Sequence, residues 1–362
     1  MTSKSFYESL EIIASERNLD INDVLEKVAV AMKKACQLEG IEGDIQVEFN
    51  PELKKIRVFS VRTVVDEIDP EGPEGQILLD AAKELKSRVR VGSVIKREVN
   101  FEKEVGRKGA SQFKQIFTQG LKELGRKRAF EFFQEHENEM ITATVNKIFP
   151  DAYVLGIGMD YDAYMPKTEA LPTEELKVGD KTKVYITKVE ETPRGPKVYV
   201  SRTTKDIVKR LFEMAVPEIA NGTIEIMNIS RAPGYRSKVG VKSNNTLVDP
   251  TGACVGFNGL RIKQINEALN DEKIDIFQWQ DDPIQLIASA LMPAKAISIL
   301  PDEANHQCIA IVPDKQFTLA IGIGGQNVRL ASQVTGWKID IKSEDTAYKE
   351  GIRFKPNVAV IK

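Results

Sequence analysis

The chain has 362 residues with a net charge of −2, and 42% of its residues are hydrophobic and 29% charged. This length suits two to four domains. The sequence has neither a run of about 18 apolar residues nor a basic, apolar leader, so we expect no membrane span and no signal peptide. Because the net charge is near zero, bulk attraction to phosphate is weak, and local grooves and backbone amides would have to hold any nucleic acid.

The first 137 residues mix helical and strand-like segments, which predicts an α/β domain. Asp20 precedes apolar residues at helical spacing and is predicted to cap a helix. A long helix over residues 108–135 would turn Phe113, Phe117, Leu121 and Leu124 inward. The other predicted elements are helices over 4–17 and 21–38 and strands over 45–49, 56–65 and 94–99.

The outer side of that long helix carries a run of basic residues. They are Arg107, Lys108, Lys114, Lys122, Arg126, Lys127 and Arg128. Such a run is typical of a solvated helix face, but it also suits a docking surface. The sequence leaves both interpretations open.

Residues 138–203 change character, because short strand-like stretches follow one another. They cover residues 140–147, 152–157, 163–166, 181–189 and 197–201. Five short strands in so few residues predict a small closed barrel, of either the OB or the SH3-like type. An OB-type barrel binds single strands by stacking bases on exposed side chains. Tyr153, Tyr164 and Arg202 are the candidates, although each also suits a structural role.

The remaining residues predict two smaller α/β units. The first has a helix over 206–212, a strand over 223–229 and a basic turn over 231–238. Asp282 and Pro283 are predicted to start a helix over 284–291. The second unit has strands over 297–300 and 307–312, followed by a helix over 314–321 with Asp314 as its cap.

Two glycine-rich loops with matching surroundings lie in these units. The first is Gly256-Phe257-Asn258-Gly259, and the second, Gly322-Ile323-Gly324-Gly325, follows 66 residues later (322 − 256). Helix-like stretches over 260–269 and 326–334 follow the loops. Each stretch leads into the same tetrad, Lys-Ile-Asp-Ile, at residues 273–276 and 338–341. A glycine loop, a helix and a strand given twice match the GxxG loop of a KH module, which clamps about four nucleotides of a single strand.

Glycine suits this chemistry for two reasons. A backbone that approaches a phosphate closely has no room for a Cβ, and it often needs a positive φ. The amides at the start of the following helix then point at the anion, and the helix dipole favours negative charge there. A P-loop is excluded because GxxxxGK[ST] does not occur, and the dinucleotide pattern GxGxxG is broken at Asn327. The remaining alternative is that the loops are structural turns.

The cysteines and histidines argue against a metal or disulfide framework. Cys36, Cys254 and Cys308 are far apart and show no CxxC spacing, and His136 and His306 are the only histidines. We therefore expect reduced thiols in a cytoplasmic protein. We also expect a monomer with no metal and no cofactor.

The order of these parts resembles the bacterial NusA family of transcription elongation and termination factors. The resemblance covers essentially the whole chain. Its most specific stretches are residues 249–256, 272–276, 319–332 and 336–341, together with the Arg231-Ala232-Pro233-Gly234 turn.

The resemblance implies a multidomain α+β fold. It consists of an N-terminal polymerase-binding α/β domain (1–137), an S1 barrel of OB type (138–203) and two type II KH modules (204–293 and 294–362). The N-terminal domain would dock on core RNA polymerase near the RNA exit channel. The S1 and KH modules would bind the nascent single-stranded RNA. The outcome would be altered pausing, termination or antitermination, with other Nus factors as further partners and without catalysis.

The predicted RNA-binding residues follow from the two loops and their neighbours. The loop residues Gly256, Phe257, Asn258, Gly259, Gly322, Ile323, Gly324 and Gly325 would hold nucleotides. Lys238, Arg261 and Arg329 would neutralise phosphates, while Asn258, Gln326 and Asn327 would contact bases or sugars. Arg261 and Arg329 also suit a solvent-facing helix side.

Two departures from the family pattern bear on these predictions. Both loops lack the basic residue that the family usually has, so charge-assisted affinity should be lower. The acidic C-terminal repeats of some relatives are also missing. An RNA-processing enzyme and a ribosome-associated KH protein are the alternatives, but the sequence shows neither clustered carboxylates nor a strongly basic tail.

Overall fold

The computed structural model describes residues 3–70 and 72–358. It divides into two compact units, of which the first runs to Phe132 and includes Pro193–Gly195, while the second covers Phe133–Thr192 and Pro196 onwards. Among the described residues, no helix is both long and apolar enough to cross a membrane.

The first unit packs helices against a four-stranded sheet. Its elements are α1 (Ser3–Glu16), α2 (Ile21–Leu38), β1 (Asp44–Asn50), β2 (Lys55–Val65), β3 (Gln76–Leu78), α3 (Leu79–Leu85), β4 (Val94–Val99), α4 (Phe101–Glu104) and α5 (Arg107–Glu135). Strand β2 pairs antiparallel with β1 and β4 and parallel with β3. The predicted long helix is confirmed as α5, whereas β3, α3 and α4 are short elements that the pattern did not predict.

Local signals explain the helices of this unit. The Asp20 side chain accepts a hydrogen bond from the Asn22 amide at 2.7 Å and so caps α2. Val24, Val28 and Met32 recur at helical spacing and lie in the core. The residues predicted to face inward from α5, which include Phe113 and Leu121, pack against the same cluster.

The second unit begins with a closed five-stranded barrel. Its strands are β5 (Met140–Ile148), β6 (Ala152–Gly158), β7 (Tyr161–Pro166), β8 (Lys181–Thr192) and β9 (Gly195–Ser201). The strands follow the order β5-β6-β7-β9-β8, in which β7 and β9 are parallel and the other described pairs are antiparallel. This barrel confirms the OB-type prediction.

Two modules with the same topology follow the barrel. The first contains α6 (Lys205–Ala215), α7 (Pro217–Ala220), β10 (Ile224–Ala232), β11 (Arg236–Ser243), α8 (Pro250–Val255), α9 (Leu260–Ala268) and β12 (Lys273–Gln278). The second contains α10 (Pro283–Ala290), β13 (Ser298–Asp302), β14 (Gln307–Val312), α11 (Phe317–Ile321), α12 (Gln326–Thr335), β15 (Lys338–Ser343) and α13 (Glu344–Lys349). In each sheet the first two strands are antiparallel and the third is parallel to the second. Helix, two strands, two helices and a parallel strand make the type II KH arrangement, as predicted.

One local prediction in this part is wrong, and a second covers too many residues. Asp314 does not cap a helix, because it lies inside a 3-10 turn (Asp314–Gln316) and its carboxylate accepts from the Asp345 amide at 3.1 Å. The predicted basic turn over 231–238 is mostly strand, since β10 continues to Ala232 and β11 resumes at Arg236. The turn itself is confirmed at residues 233–235, where Pro233 and Gly234 predict it.

The parts of the second unit are joined by hydrogen bonds between side chains and backbone. Asn228 donates to the Val334 carbonyl at 2.8 Å, and Ser230 donates to the Leu330 carbonyl at 2.7 Å. These bonds hold α12 of the second module against β10 of the first.

Helix α10 packs in one core with β13 and α12. We therefore propose that the boundary between the two KH modules lies before residue 283 rather than near 293.

Candidate nucleic-acid interface

The two GxxG loops have the same backbone conformation. The first glycine of each, Gly256 or Gly322, has φ near 75° and ψ near 170° (75/174 and 76/171). The third residue is left-handed in both, with φ 49° at Asn258 and 59° at Gly324. The last glycine donates to the carbonyl of the first at 3.1 Å in both loops. The sequence repeat is therefore also a structural repeat, and Asn258 fits because asparagine tolerates the left-handed region.

The first glycine of each loop is required by space as well as by φ. A Cβ at Gly256 would lie 2.7 Å from Cγ of Arg261, and a Cβ at Gly322 would lie 2.8 Å from the backbone nitrogen of Asn327. By contrast, a Cβ at Gly324 or Gly325 would meet no described atom within 4 Å. The start of each loop is therefore packed, while the far end of the second is open to a ligand.

The tips of both loops carry highly exposed apolar side chains. Phe257 is 81% exposed and Ile323 is 96% exposed. The loops lead directly into α9 and α12, and the first amides of a helix are suited to bind an anion. Each loop thus presents backbone donors beside an apolar surface, which suits phosphate and base or sugar together.

Arg261 and Asn327 occupy equivalent positions, five residues after the first glycine of each loop. Arg261 donates to the Ala253 carbonyl at 2.6 Å and to Glu218 at 3.0 Å. Asn327 is buried, and its amide donates to the carbonyls of Ala320 (2.9 Å) and Leu291 (3.0 Å). Both side chains therefore fasten the helix after the loop to the one before it. The prediction that Asn327 contacts bases or sugars is wrong because its side chain is enclosed.

The prediction that Lys238 neutralises a phosphate is also wrong. Its side chain is fully buried, and its ammonium donates to Asp275 at 3.1 Å and to the Met292 carbonyl at 2.7 Å. Burial lowers the pKa of this lysine, although the Asp275 carboxylate opposes the shift. Lys238 therefore ties β11 of the first module to the segment that follows α10 in the second module.

The barrel candidates differ in how far they reach the surface. Arg202 is buried and pairs with both carboxylate oxygens of Glu174, at 2.7 and 3.0 Å, and burial lowers its pKa. Tyr153 is 8% exposed. The prediction that these two side chains stack on bases is therefore wrong, because too little of either is accessible. Tyr164 is half-buried and lies directly beside Tyr199 of the parallel strand.

Sequence reasoning missed Tyr199. Its hydroxyl donates to Glu190 at 3.1 Å, and the Lys197 ammonium lies 4.7 Å from its ring centroid. The alternation of Lys197, Tyr199 and Ser201 along one strand was the available signal. It was not sufficient, because the pairing of β7 with β9 brings Tyr164 and Tyr199 together only in the closed barrel.

Gln326 and Arg329 remain accessible beside the second loop. Arg329 is exposed and forms no ion pair with any of the residues that the structure describes. Across residues 3–70 and 72–358, no cluster of three or more His, Cys, Asp or Glu side chains is placed to hold a metal ion.

Comparisons with known proteins identify three parts of the chain. Family models match residues 5–127 as "NusA N-terminal domain", 202–279 as "NusA-like first KH domain" and 283–349 as "NusA-like second KH domain".

Full-length relatives extend this result over almost the whole chain. The protein named "Transcription termination/antitermination protein NusA" from Bacillus subtilis is 38% identical, over 97% of this chain and 94% of that protein. The proteins of the same name from Halalkalibacterium halodurans and Thermus thermophilus are both 37% identical. They match over 97% and 95% of this chain, respectively, and over 91% of their own length. The chain therefore belongs to the NusA family of transcription termination/antitermination proteins.

Proposed function

We propose that this transcription factor binds the nascent single-stranded RNA through both GxxG loops and acts on RNA polymerase without catalysing a reaction. The observation that carries the proposal is the shared backbone conformation of the two exposed loops, each at the start of a helix. The main-chain amides would hold phosphates. The exposed Phe257 and Ile323 would contact bases or sugars, with Asn258, Gln326 and Arg329 beside them.

The proposed domain division assigns RNA to residues 138–358 and the polymerase to residues up to about 137. Because the loops bind through backbone amides rather than charges, we expect each loop alone to have a modest affinity for RNA. Several linked contacts are then needed for tight binding. The hydrogen bonds from Asn228 and Ser230 to α12 support binding of one RNA by both loops, because they hold the two modules, and with them the two loops, together.

The N-terminal unit contains an open groove that suits a protein partner. It has a volume of about 910 Å³, and Phe6, Phe101 and Phe113 line its apolar floor. Arg57 and Glu98 lie at its polar edge. An aromatic floor with a polar rim is typical of a site that receives an apolar anchor from another protein. We propose that an apolar side chain of core RNA polymerase occupies this groove.

The RNA proposal is tested with Asn258→Asp combined with Gly324→Asp. Both positions are left-handed, and the space at Gly324 is open, so aspartate fits the fold but repels phosphate. Gly351→Asp is the matched control, because it is also left-handed with no described atom within 4 Å of the added Cβ. We expect the double variant to lose affinity for a single-stranded RNA by at least tenfold, while the control keeps it. Unchanged affinity in a folded double variant would show that the loops are not the site.

The polymerase proposal is tested by co-purification. The full chain should retain core polymerase, whereas a chain without residues 1–137 should not. Phe101→Ser should weaken retention, and Val30→Ser, an exposed apolar position outside the groove lining, should not. Retention of polymerase by the truncated chain would contradict the proposed division of labour.

A further inference from the structure

A second concave surface adjoins the second GxxG loop. It is a cleft of about 720 Å³ between that loop, the turn that joins β10 to β11, and the barrel. Its lining includes Thr168 and Thr203 of the barrel segment, Tyr235 of the turn, and Ile323, Gln326 and Arg329 of the second module. All of them belong to the second unit.

The cleft has the chemistry of a nucleotide site. Tyr235 is 57% exposed, which leaves its aromatic side chain accessible to a base. Arg329 supplies a positive charge that no described carboxylate neutralises, and among the described residues no Asp or Glu lines the cleft. Thr168, Thr203 and Gln326 add hydroxyl and amide groups that can bond to a sugar or a base edge.

The turn that carries Tyr235 is held in place before any ligand arrives. The Tyr235 amide donates to the Ala232 carbonyl at 3.0 Å, and its own carbonyl accepts from the Lys273 amide at 3.1 Å. The Gly234 amide donates to the buried Glu272 carboxylate at 2.8 Å. A ring on a backbone fixed in this way loses little freedom on binding, which favours affinity.

The first module does not reproduce this arrangement. The position equivalent to Arg329 is Lys263 (329 − 66), which lies 3.8 Å from the Glu267 carboxylate on the same helix. Its charge is therefore already partly neutralised. The cleft is a property of the junction between the barrel and the two modules rather than of a GxxG loop as such.

We propose that this cleft holds one RNA nucleotide next to those bound by the second loop. Its base stacks on Tyr235 and its phosphate lies beside Arg329. This inference rests on the proposed RNA binding by the GxxG loops, and it extends the RNA path from the second loop toward the barrel.

The test uses a chain in which Asn258→Asp blocks the first loop. Two single-stranded RNAs are compared: one of about four nucleotides, the length that one loop holds, and one of about eight. Tyr235→Ala and Arg329→Gln are measured in this background, with Lys263→Gln as the control. Tyr235 is exposed and its bonds are made by the backbone, so its truncation preserves the fold.

We expect the longer RNA to bind more tightly than the shorter one. Tyr235→Ala should reduce that gain by about tenfold, in line with the stacking of one base, and leave the short RNA unaffected. A longer RNA with an abasic nucleotide at the position that reaches the cleft should bind the protein with Tyr235 less tightly than the intact RNA does. The Tyr235→Ala protein should bind both of these RNAs equally well. Arg329→Gln should weaken binding of the longer RNA more than binding of the shorter one, because Arg329 lies beside both the loop and the cleft, and Lys263→Gln should affect neither.

The inference is overturned if Tyr235→Ala and Arg329→Gln bind both RNAs as the unsubstituted background does. In that case the RNA affinity of Gly324→Asp tests separately whether the second loop binds RNA. If Gly324→Asp still abolishes binding, the loop proposal stands without the cleft. If Gly324→Asp has no effect either, the RNA-binding proposal for this loop fails as well.

Discussion

Arg231 and Glu272 form a buried two-point ion pair beneath the turn that joins β10 to β11. The guanidinium donates to the two carboxylate oxygens at 3.0 and 2.8 Å, and both side chains are at most 2% exposed. The carboxylate also accepts from the Gly234 amide at 2.8 Å and from the Ser237 hydroxyl at 2.6 Å. This network gives Arg231 a structural role and fixes the turn at Gly234.

Glu272→Gln should lower the free energy of unfolding by about 3–5 kcal/mol, because it leaves a buried guanidinium without its counter-charge. Urea denaturation with a far-UV signal measures this loss. Glu267→Gln is the control, since its partner Lys263 is exposed and the pair is worth at most about 1 kcal/mol. Equal stability of the two variants would contradict the structural role of the buried pair.

The glycines of the second loop should differ in their tolerance of side chains. Gly324→Asn should be nearly neutral in stability, because Asn258 already adopts the same conformation in the first loop and the space at Gly324 is open. Gly322→Ala should cost about 1–3 kcal/mol, because φ 76° and ψ 171° lie in a region of the backbone map that is essentially restricted to glycine. It should cost more because its Cβ would lie 2.8 Å from a backbone nitrogen. Thermal unfolding of the two variants gives the comparison, and a more stable Gly322→Ala would refute it.

Lys238 and Arg329 should respond in opposite ways to substitution. Lys238→Met removes a buried donor from Asp275 and the Met292 carbonyl, so the free energy of unfolding should fall by about 1–3 kcal/mol. RNA affinity of the folded variant should not change. Arg329→Gln should change stability by less than about 0.5 kcal/mol, as expected for an exposed residue, and should weaken RNA binding. A Lys238→Met protein that folds normally but loses RNA would restore lysine as a direct ligand.

RNA binding should depend only weakly on salt. For a single strand, the slope of log affinity against log salt is about −0.7 per phosphate neutralised. The two loops contain no basic residue. With Arg261 already paired to Glu218, a slope of about −1 to −2 is expected. Affinity measured at several salt concentrations gives this slope, and a much steeper value would point to a basic surface elsewhere.

The three cysteines should remain protonated and unreactive in the native protein. Burial raises the pKa of Cys36 to about 11 and those of Cys254 and Cys308 to about 12, from an ordinary value of 9.0. The folded protein therefore holds these protons more tightly than the unfolded chain, so stability should fall as the pH rises above about 9.

Thiol labelling at neutral pH checks the first part of this prediction, with the urea-unfolded chain as the fully reactive reference. Denaturation at several alkaline pH values checks the second. In Cys254→Ala the decline with pH should be shallower, because one of the three linked protons is gone. Rapid labelling of the folded protein would show that the thiols are accessible.

Much of the fold could be predicted because its signals are local. Asp20 and Asp282 cap helices as expected, since a cap depends on a side chain and amides two or three residues away. The glycines of both loops were recognisable because a left-handed backbone beside a helix start restricts the residue type. The barrel strands likewise followed from short alternating segments between turn residues.

Three of the wrong RNA-binding predictions concern polar side chains. Arg202 was assigned to RNA because an OB-type barrel stacks bases on its surface, and Lys238 and Asn327 were assigned to it because basic and amide residues near a loop suit that role. Their partners lie 28, 37 and 36 positions away in the chain, at Glu174, Asp275 and Leu291. No local pattern reveals such a pairing.

The amino-acid sequence by itself determined the order of the parts, the repeated GxxG loops and the type of most elements, because these depend on neighbouring residues. Only the tertiary structure decided which basic side chains face solvent and which are buried. It alone placed Tyr235 and Arg329 in one cleft, since that cleft exists only where the barrel and both modules meet. The physical reason is that exposure and proximity depend on packing between segments far apart in the chain.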